Sequence, residues 1–263
     1  MTFTKRQWML SAAAISLSAL SFTAQADALS RVTSSGVLKV AVPADFPPYG
    51  FVGTDLKPQG LDIDMAAHIA KAMGVKLELL PVTSANRIPY LQSAKADLVI
   101  STLGKNAERQ KVIDFTAAYS PFFQGIYGPK DMTVKGFADL AGKTIAVTRG
   151  AIEDQELTKV APSATEIKRF EDNNATISAF VSGPTQLVAT GVSVAENMMK
   201  RNPSLGAQYK LLLKDSPNFI GVAKGEDALR TKVNDIIAAA KTSGAIDAMS
   251  QQWLGRPAGN LPQ

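Results

Sequence analysis

The sequence predicts an α/β layer fold in which two series of strands and helices form two similar lobes. Three observations carry that expectation. Short β-branched apolar runs alternate with segments of helical apolar spacing, the order that builds parallel sheets covered by helices. The alternation occurs twice, and Gly128-Pro129 and Ser216-Pro217 punctuate it. No repeat of fixed period and no low-complexity tract competes with this reading.

In the first series, residues 37–42 form an apolar run that stops at Pro43. Leu61, Met65, Ile69 and Met73 then recur at helical spacing, with Asp62 read as a cap and Gly74 as the stop. A strand follows over 75–82, a short helix over 87–94 and a buried strand over 97–100. In the second series the spacing predicts a short helix and turn over 137–142. Strands over 143–148, 167–170, 186–189 and 209–213 alternate with helices over 150–160, 174–181 and 194–200. After Pro217 come a strand over 219–223, a helix over 228–243 and a last helix over 246–254. The tail from Gly255 holds Pro257, Gly259 and Pro262 and reads as loose.

The N-terminus reads as an export signal. Lys5 and Arg6 precede an almost uncharged stretch over 8–22, and Ala24-Gln25-Ala26 supplies a small-x-small cleavage site after Ala26. At about 15 residues, diluted by four serines, the stretch is short of the roughly 20 that a membrane span wants. The chain has no cysteine, so disulfides, a lipid-anchored cysteine and thiolate metal ligands are excluded. Its net charge is +5, two of the basic residues lie in the leader, and the rest are spread evenly. That excludes a nucleic-acid footprint. The single histidine, His68, has no second histidine to share a metal with, and no cofactor is expected. A phosphate-binding G-x-x-x-x-G-K-[ST] loop is absent, which excludes an ATPase motor.

Five landmarks in order carry a resemblance: Gly36-Val-Leu-Lys-Val-Ala-Val with Phe46-Pro-Pro-Tyr49; Gly60-Leu-Asp-Ile-Asp64; Arg87-Ile-Pro-Tyr-Leu through Asp97 to Ser101-Thr102; Glu108-Arg109 followed by Val112-Ile-Asp-Phe-Thr116; and Asp139-Leu-Ala-Gly-Lys143. In this order they resemble the family 3 bacterial extracellular solute-binding proteins, which include the polar amino-acid-binding proteins of ABC importers. The resemblance spans nearly the whole chain after the leader. It implies a type II periplasmic-binding fold: two α/β lobes, two hinge crossovers and a ligand in the interlobe cleft. Lobe 1 would comprise residues 27–126 and 219–263, and lobe 2 residues 127–218. The implied partners are a small amino acid or carboxylate ligand and an inner-membrane ABC permease, with the protein a periplasmic monomer.

Site residues carry over position by position. Arg109 falls where the family places an arginine for the ligand's carboxylate, although Glu-Arg-Gln-Lys alone reads as solvated surface charge. A guanidinium suits the task because its planar fork gives a carboxylate two charged hydrogen bonds. Ser101, Thr102 and Leu103 match positions that offer hydroxyls and backbone to the ligand, with a plain strand-end turn as the alternative for Leu103. Gly104 stands where Ser or Thr is frequent and keeps a backbone N–H to offer, with the same strand-end turn as its alternative. Phe46 matches a covering aromatic, Tyr49 reads as core, and Ser84 occupies the place of a second aromatic. In lobe 2, Ala151 and Ile152 replace two threonines at a helix start, with Glu153 beside them and Arg149 either facing the cleft or solvated. Gly191 replaces the aspartate that meets the ligand's ammonium, which leaves Glu153 or Glu196 to take that role or the ligand without an ordinary amine. The same scaffold also carries dehydratases of arogenate or prephenate type, so an enzyme with Glu153 as its acid is the alternative reading.

Overall fold

A computed structural model describes residues 27–262. The expected signal peptide, residues 1–26, lies outside them. Asp27 caps α1 (Ala28–Ser35) by accepting the Ser30 amide, and Gly36 ends it in the left-handed conformation. Then follow β1 (Val37–Val42), β2 (Asp45–Phe46), β3 (Gly50–Val52), β4 (Pro58–Gln59), α2 (Leu61–Met73), β5 (Lys76–Pro81), α3 (Arg87–Gln92), β6 (Leu98–Gly104), α4 (Ala107–Gln110) and β7 (Ile113–Ser120). The second series is β8 (Phe123–Pro129), β9 (Thr144–Thr148), α5 (Ile152–Val160), β10 (Glu166–Phe170), α6 (Asn173–Val181), β11 (Leu187–Gly191), α7 (Val192–Arg201) and β12 (Ala207–Asp215). The chain ends with β13 (Asn218–Ala223), α8 (Asp227–Thr242) and α9 (Ala245–Leu254).

Two five-stranded sheets result, ordered β5-β1-β6-β13-β7 and β10-β9-β11-β8-β12, with a small β2-β3-β4 sheet beside the first. These are the two lobes. In each, β-strands from the helical crossovers pair in parallel, and strands after a lobe crossing pair antiparallel. Every residue of β6 is buried, as expected of a strand covered on both faces. Its C-terminal end brings Thr102 to the cleft, where open α/β sheets put their ligands.

The strand pairing places the crossings a few residues from the expected boundaries. β8 lies wholly in the second sheet, so the chain leaves the first sheet at Pro121-Phe122 rather than after residue 126. It returns at Ser216-Pro217, just before β13. Prolines explain the positions, because Pro121 and Pro217 have no N–H to continue a ladder. The crossovers also bond to each other, the Ser216 amide donating to the Phe122 carbonyl at 3.1 Å. The helix α1 and the strands β7 and β8 are absent from the sequence reading. The strands are buried on both faces and lack the alternation that marks a half-buried strand. The tail after Gly255 is docked rather than loose: the Ala258 amide donates to Asp247, and the Pro262 carbonyl accepts from Ala118 in β7.

Asp62 is not a helix cap either. Gly60 takes that position, and Asp62 sits inside α2, fully buried. One carboxylate oxygen accepts the Thr102 amide at 2.9 Å and the other the Tyr119 hydroxyl at 2.7 Å. This pins the end of β6 to α2 and β7. Asp64 behaves likewise, accepting the Trp253 indole N–H at 2.7 Å and so tying α2 to α9.

Burial pushes the Asp62 carboxyl from 3.8 up to about 7, against the opposing pull of Tyr119, Thr102 and Arg87. Between those pH values the folded chain holds a proton that the unfolded chain has lost. The stabilisation from this group is therefore complete below pH 4 and is lost as pH rises to about 7, a change of up to about 4 kcal/mol. Asp62→Asn is expected to remove that decline. Urea denaturation should find it more stable than the parent at pH 8, with the difference closing near pH 4.

Candidate functional site

The lobes close over a small space between them, about 10 Å3, room for about one water, so a solute enters only when the lobes part. From the first lobe Phe46, Ser84, Arg87 and Thr102 face it; from the second come Thr148, Ala151, Glu153, Asn173, Ala189 and Thr190.

Arg87 organises the first-lobe wall. It begins α3 after the 3-10 turn Ser84–Asn86 and is 3% exposed. Its Nε donates to the Ser84 carbonyl at 3.0 Å, and Nη1 to the carbonyls of Ser101 (2.7 Å) and Thr102 (3.3 Å). Nη2 crosses the cleft to the Gly150 carbonyl at 3.2 Å. The sequence reading quoted this arginine within its motif but gave it no role. The signal available was an arginine set between a turn and the Ile-Pro start of a helix, a place where a solvated charge has little reason to be.

Arg109, the carboxylate fork expected from the sequence, is equally buried but stands behind the wall. Its Nη1 donates to the Gly104 carbonyl at 2.7 Å and its Nη2 to the Gly150 carbonyl at 2.9 Å. Asn106 caps α4 by accepting the Arg109 amide at 2.9 Å and also donates to Gln155 of the second lobe. Among the described residues neither Arg87 nor Arg109 has a carboxylate oxygen within 4.0 Å. Burial is the main cause that draws both guanidiniums below their usual range, Arg87 to about 10 and Arg109 to about 9. Both stay charged at neutral pH.

Gly150 is the point on which the two arginines converge. Its φ of +73° suits glycine, and a Cβ there would lie 3.0 Å from the Ala85 Cα of the first lobe. Thr102 is the strained member of the site. A φ of +43° is costly for a β-branched residue. The Thr102 amide on Asp62 and its carbonyl on Arg87 hold it there.

The other sequence candidates divide between wall and core. Phe46 is on the wall, stacked on Tyr49 with centroids 6.1 Å apart and tilted on Phe122; Tyr49 is core. Ser84 lines the space. Ser101 offers its carbonyl to Arg87 and is not on the wall. Leu103 is core, packed with Leu91, Val99, Ile113 and Phe219. Ala151 caps α5 and lines the space. Ile152 fills the volume over Gly104, where a Cβ would lie 3.1 Å from its Cγ1. Arg149 pairs with Glu171 at 2.8 Å on the surface, the solvated alternative.

Gly191 lies off the wall as well. A Cβ there would stand 2.6 Å from the Phe122 ring, so the hinge phenylalanine occupies the room that a side chain would need. Glu196 is exposed. Glu153, in the first turn of α5, lines the cleft at 5% exposure, and its Oε1 has no hydrogen-bond partner. Burial raises its carboxyl above the usual range, opposed by its own amide, Arg87 and Arg109.

Asp45 binds the lobes on the flank of the cleft. Its carboxylate accepts the backbone amides of Asn173 (2.7 Å) and Asn174 (3.2 Å) and the Asn173 side-chain amide (2.8 Å). It thus sits on the N-terminus of α6, where the helix dipole favours an anion.

Known proteins share this architecture. An L-cystine-binding protein of Escherichia coli K12 is 26% identical over 231 residues, covering 86% of each chain. The solved structure of an ancestral arginine-binding protein bound to arginine superposes with a TM-score of 0.79 at 35% identity, covering 84% of this chain and 99% of that one. A cyclohexadienyl dehydratase of Pseudomonas aeruginosa is 24% identical over 243 residues, 90% of each chain. The family model of the bacterial extracellular solute-binding proteins, family 3, matches residues 38–256. With two sheets, two crossovers and a polar interlobe cleft to match, the chain belongs to that family.

Proposed function

We propose that this protein is the periplasmic solute-binding component of an ABC importer. It captures an amino acid or a related small carboxylate between its lobes and delivers it to a permease in the inner membrane. One observation carries the reading: two buried guanidiniums, Arg87 on the wall and Arg109 behind it, have backbone carbonyls as hydrogen-bond partners and share a single nearby carboxyl, Glu153, that touches neither. Holding a cation away from water costs several kcal/mol unless a counter-charge arrives. A ligand carboxylate supplies one.

The residues divide the work. Arg87 meets the ligand's carboxylate on the first-lobe wall, which it shares with Ser84 and Thr102. Phe46 covers an apolar part of the solute. Arg109 holds the floor of the site and the closed lobe arrangement through Gly104 and Gly150. Capture then follows from hinge closure at the two crossovers. Asp45 on α6 and Asn106 on Gln155 stabilise the closed form, which is the form a permease would distinguish from the open one. Export through the N-terminal signal, with cleavage after Ala26, fits this role.

Calorimetry against a panel of amino acids, opines and small carboxylates tests the reading. Binding in the micromolar range, about −8 kcal/mol, is expected for at least one compound. Arg87→Ala should weaken it by about 30-fold or more, the scale of a lost charged hydrogen bond. Arg109→Ala should weaken it as well, through closure. No carboxylate bound, or unchanged affinity in both variants, would sink the proposal.

Closure has its own test. Asp45→Ala removes three interlobe hydrogen bonds without touching the carboxylate site, so the binding-competent fraction should fall. About 5- to 30-fold weaker binding of every ligand is expected, with their order of preference unchanged. Small-angle scattering should find the variant more open than the parent.

A second reading rests on Glu153. A buried carboxyl held toward its protonated form is what a general acid requires, and a dehydratase is among the similar proteins. Purified protein incubated with prephenate decides between the two. Binding alone predicts no turnover, whereas product formation that Glu153→Gln abolishes would make the protein an enzyme.

A further inference from the structure

Among the described residues, one carboxyl group lining the cleft has an oxygen without a hydrogen-bond partner, and Arg87 and Arg109 act on it only from a distance. Asp45 is committed to α6 and Asp62 to Thr102 and Tyr119. Asp154 accepts from the Gly150 amide and from Arg169 at 2.7 Å, and Glu156 pairs with Lys159 and Lys214. Glu153 differs from all four. It is buried, it faces the interlobe space, its Oε1 is without a partner, and no cationic nitrogen lies within 4.0 Å. The end of β11 cannot substitute for it, because Phe122 fills the space beside Gly191.

We propose that Glu153, in the first turn of α5, is the receptor for a ligand ammonium group. This rests on the capture of a carboxylate solute argued above and deepens it: the solute is an amino acid, read by Arg87 at one end and by Glu153 at the other. The two stand on opposite lobes, so a zwitterion bridges the cleft and both charges are satisfied only when the lobes close. A carboxylate without an amine leaves Oε1 buried and unpaired, the penalty that lets a site reject an analogue lacking one group. Nearby hydroxyls do not take the role. Thr148 is engaged with Asn173 and Thr176 at 2.9 and 2.8 Å, and a hydroxyl brings no charge.

The test uses the full mature protein and matched pairs that differ at the amine: L-alanine with L-lactate, L-aspartate with L-malate, L-glutamate with 2-hydroxyglutarate, and L-phenylalanine with L-phenyllactate. For the tightest-binding pair, calorimetry should find the amino acid preferred at least 10-fold by the parent. Glu153→Gln should reduce that preference to threefold or less, and Glu153→Asp, which keeps the charge, should retain most of it. Thermal melts confirm that both variants fold; if Glu153→Gln does not, Glu153→Ala takes its place and must show the same loss of preference. Equal binding of both members by the parent, or an unchanged preference in the folded Glu153→Gln, overturns the inference and leaves carboxylate capture standing. Equal weakening of both members in Glu153→Gln would mark Glu153 as a counter-charge for the arginines and also overturns it. Failure of the parent to bind any of the eight compounds or any other carboxylate defeats the capture reading itself, and the inference with it.

Discussion

The closed form of this protein hangs on the Gly150 carbonyl. It accepts Arg87 and Arg109 from the opposite lobe, and glycine's left-handed backbone lets it face them. Those two arginines also set the first-lobe wall. Arg87 fixes the Ser84 turn and the end of β6 by three other hydrogen bonds, and Arg109 fixes Gly104. The elements that shape the site are therefore the ones that hold the lobes together. Charge-assisted bonds of this kind are short and directional, so the wall is preorganised rather than assembled by the solute.

Much of the architecture is legible in the sequence because it follows from periodicity. The helical spacing of α2 and α8 and the apolar runs of β1, β9 and β13 stand close to where pattern alone puts them. What pattern misses is what burial on both faces erases. β7 and β8 have no polar alternation to show, and they straddle the first lobe crossing. The site is legible in part. Phe46, Ser84, Thr102, Ala151 and Glu153 line the space between the lobes. Arg109 is found at the site but not on its wall, and Arg87 was hidden because its partners are backbone carbonyls that no side-chain pattern announces. Asp62 was misread for the same reason: an acid near a helix start resembles a cap until its long-range partners, Thr102 and Tyr119, are known.

Stability has been set against function at one place in particular. Thr102 keeps an unfavourable left-handed backbone at the edge of the cleft, and the device that holds it is a fully buried carboxyl. Neither group would be chosen for a stable core. Together they hold Thr102 at the space between the lobes, with its amide and carbonyl already engaged.

The departures from the family pattern are coupled in pairs. Gly104 lacks a hydroxyl, and Ile152 from the other lobe fills the room above it. Gly191 lacks a carboxylate, and Phe122 from the hinge fills the room beside it. Each loss of a polar group on one element is matched by an apolar group from another, so the second-lobe half of the cleft is repacked rather than degraded. An aspartate introduced at position 191 alone would be forced into the Phe122 ring, which itself packs on Phe46 and Tyr49. The cost would spread into the aromatic cluster at the hinge. A carboxylate at position 191 is thus blocked by packing, and the carboxyl that lines this half of the cleft stands instead at the first turn of α5, in Glu153.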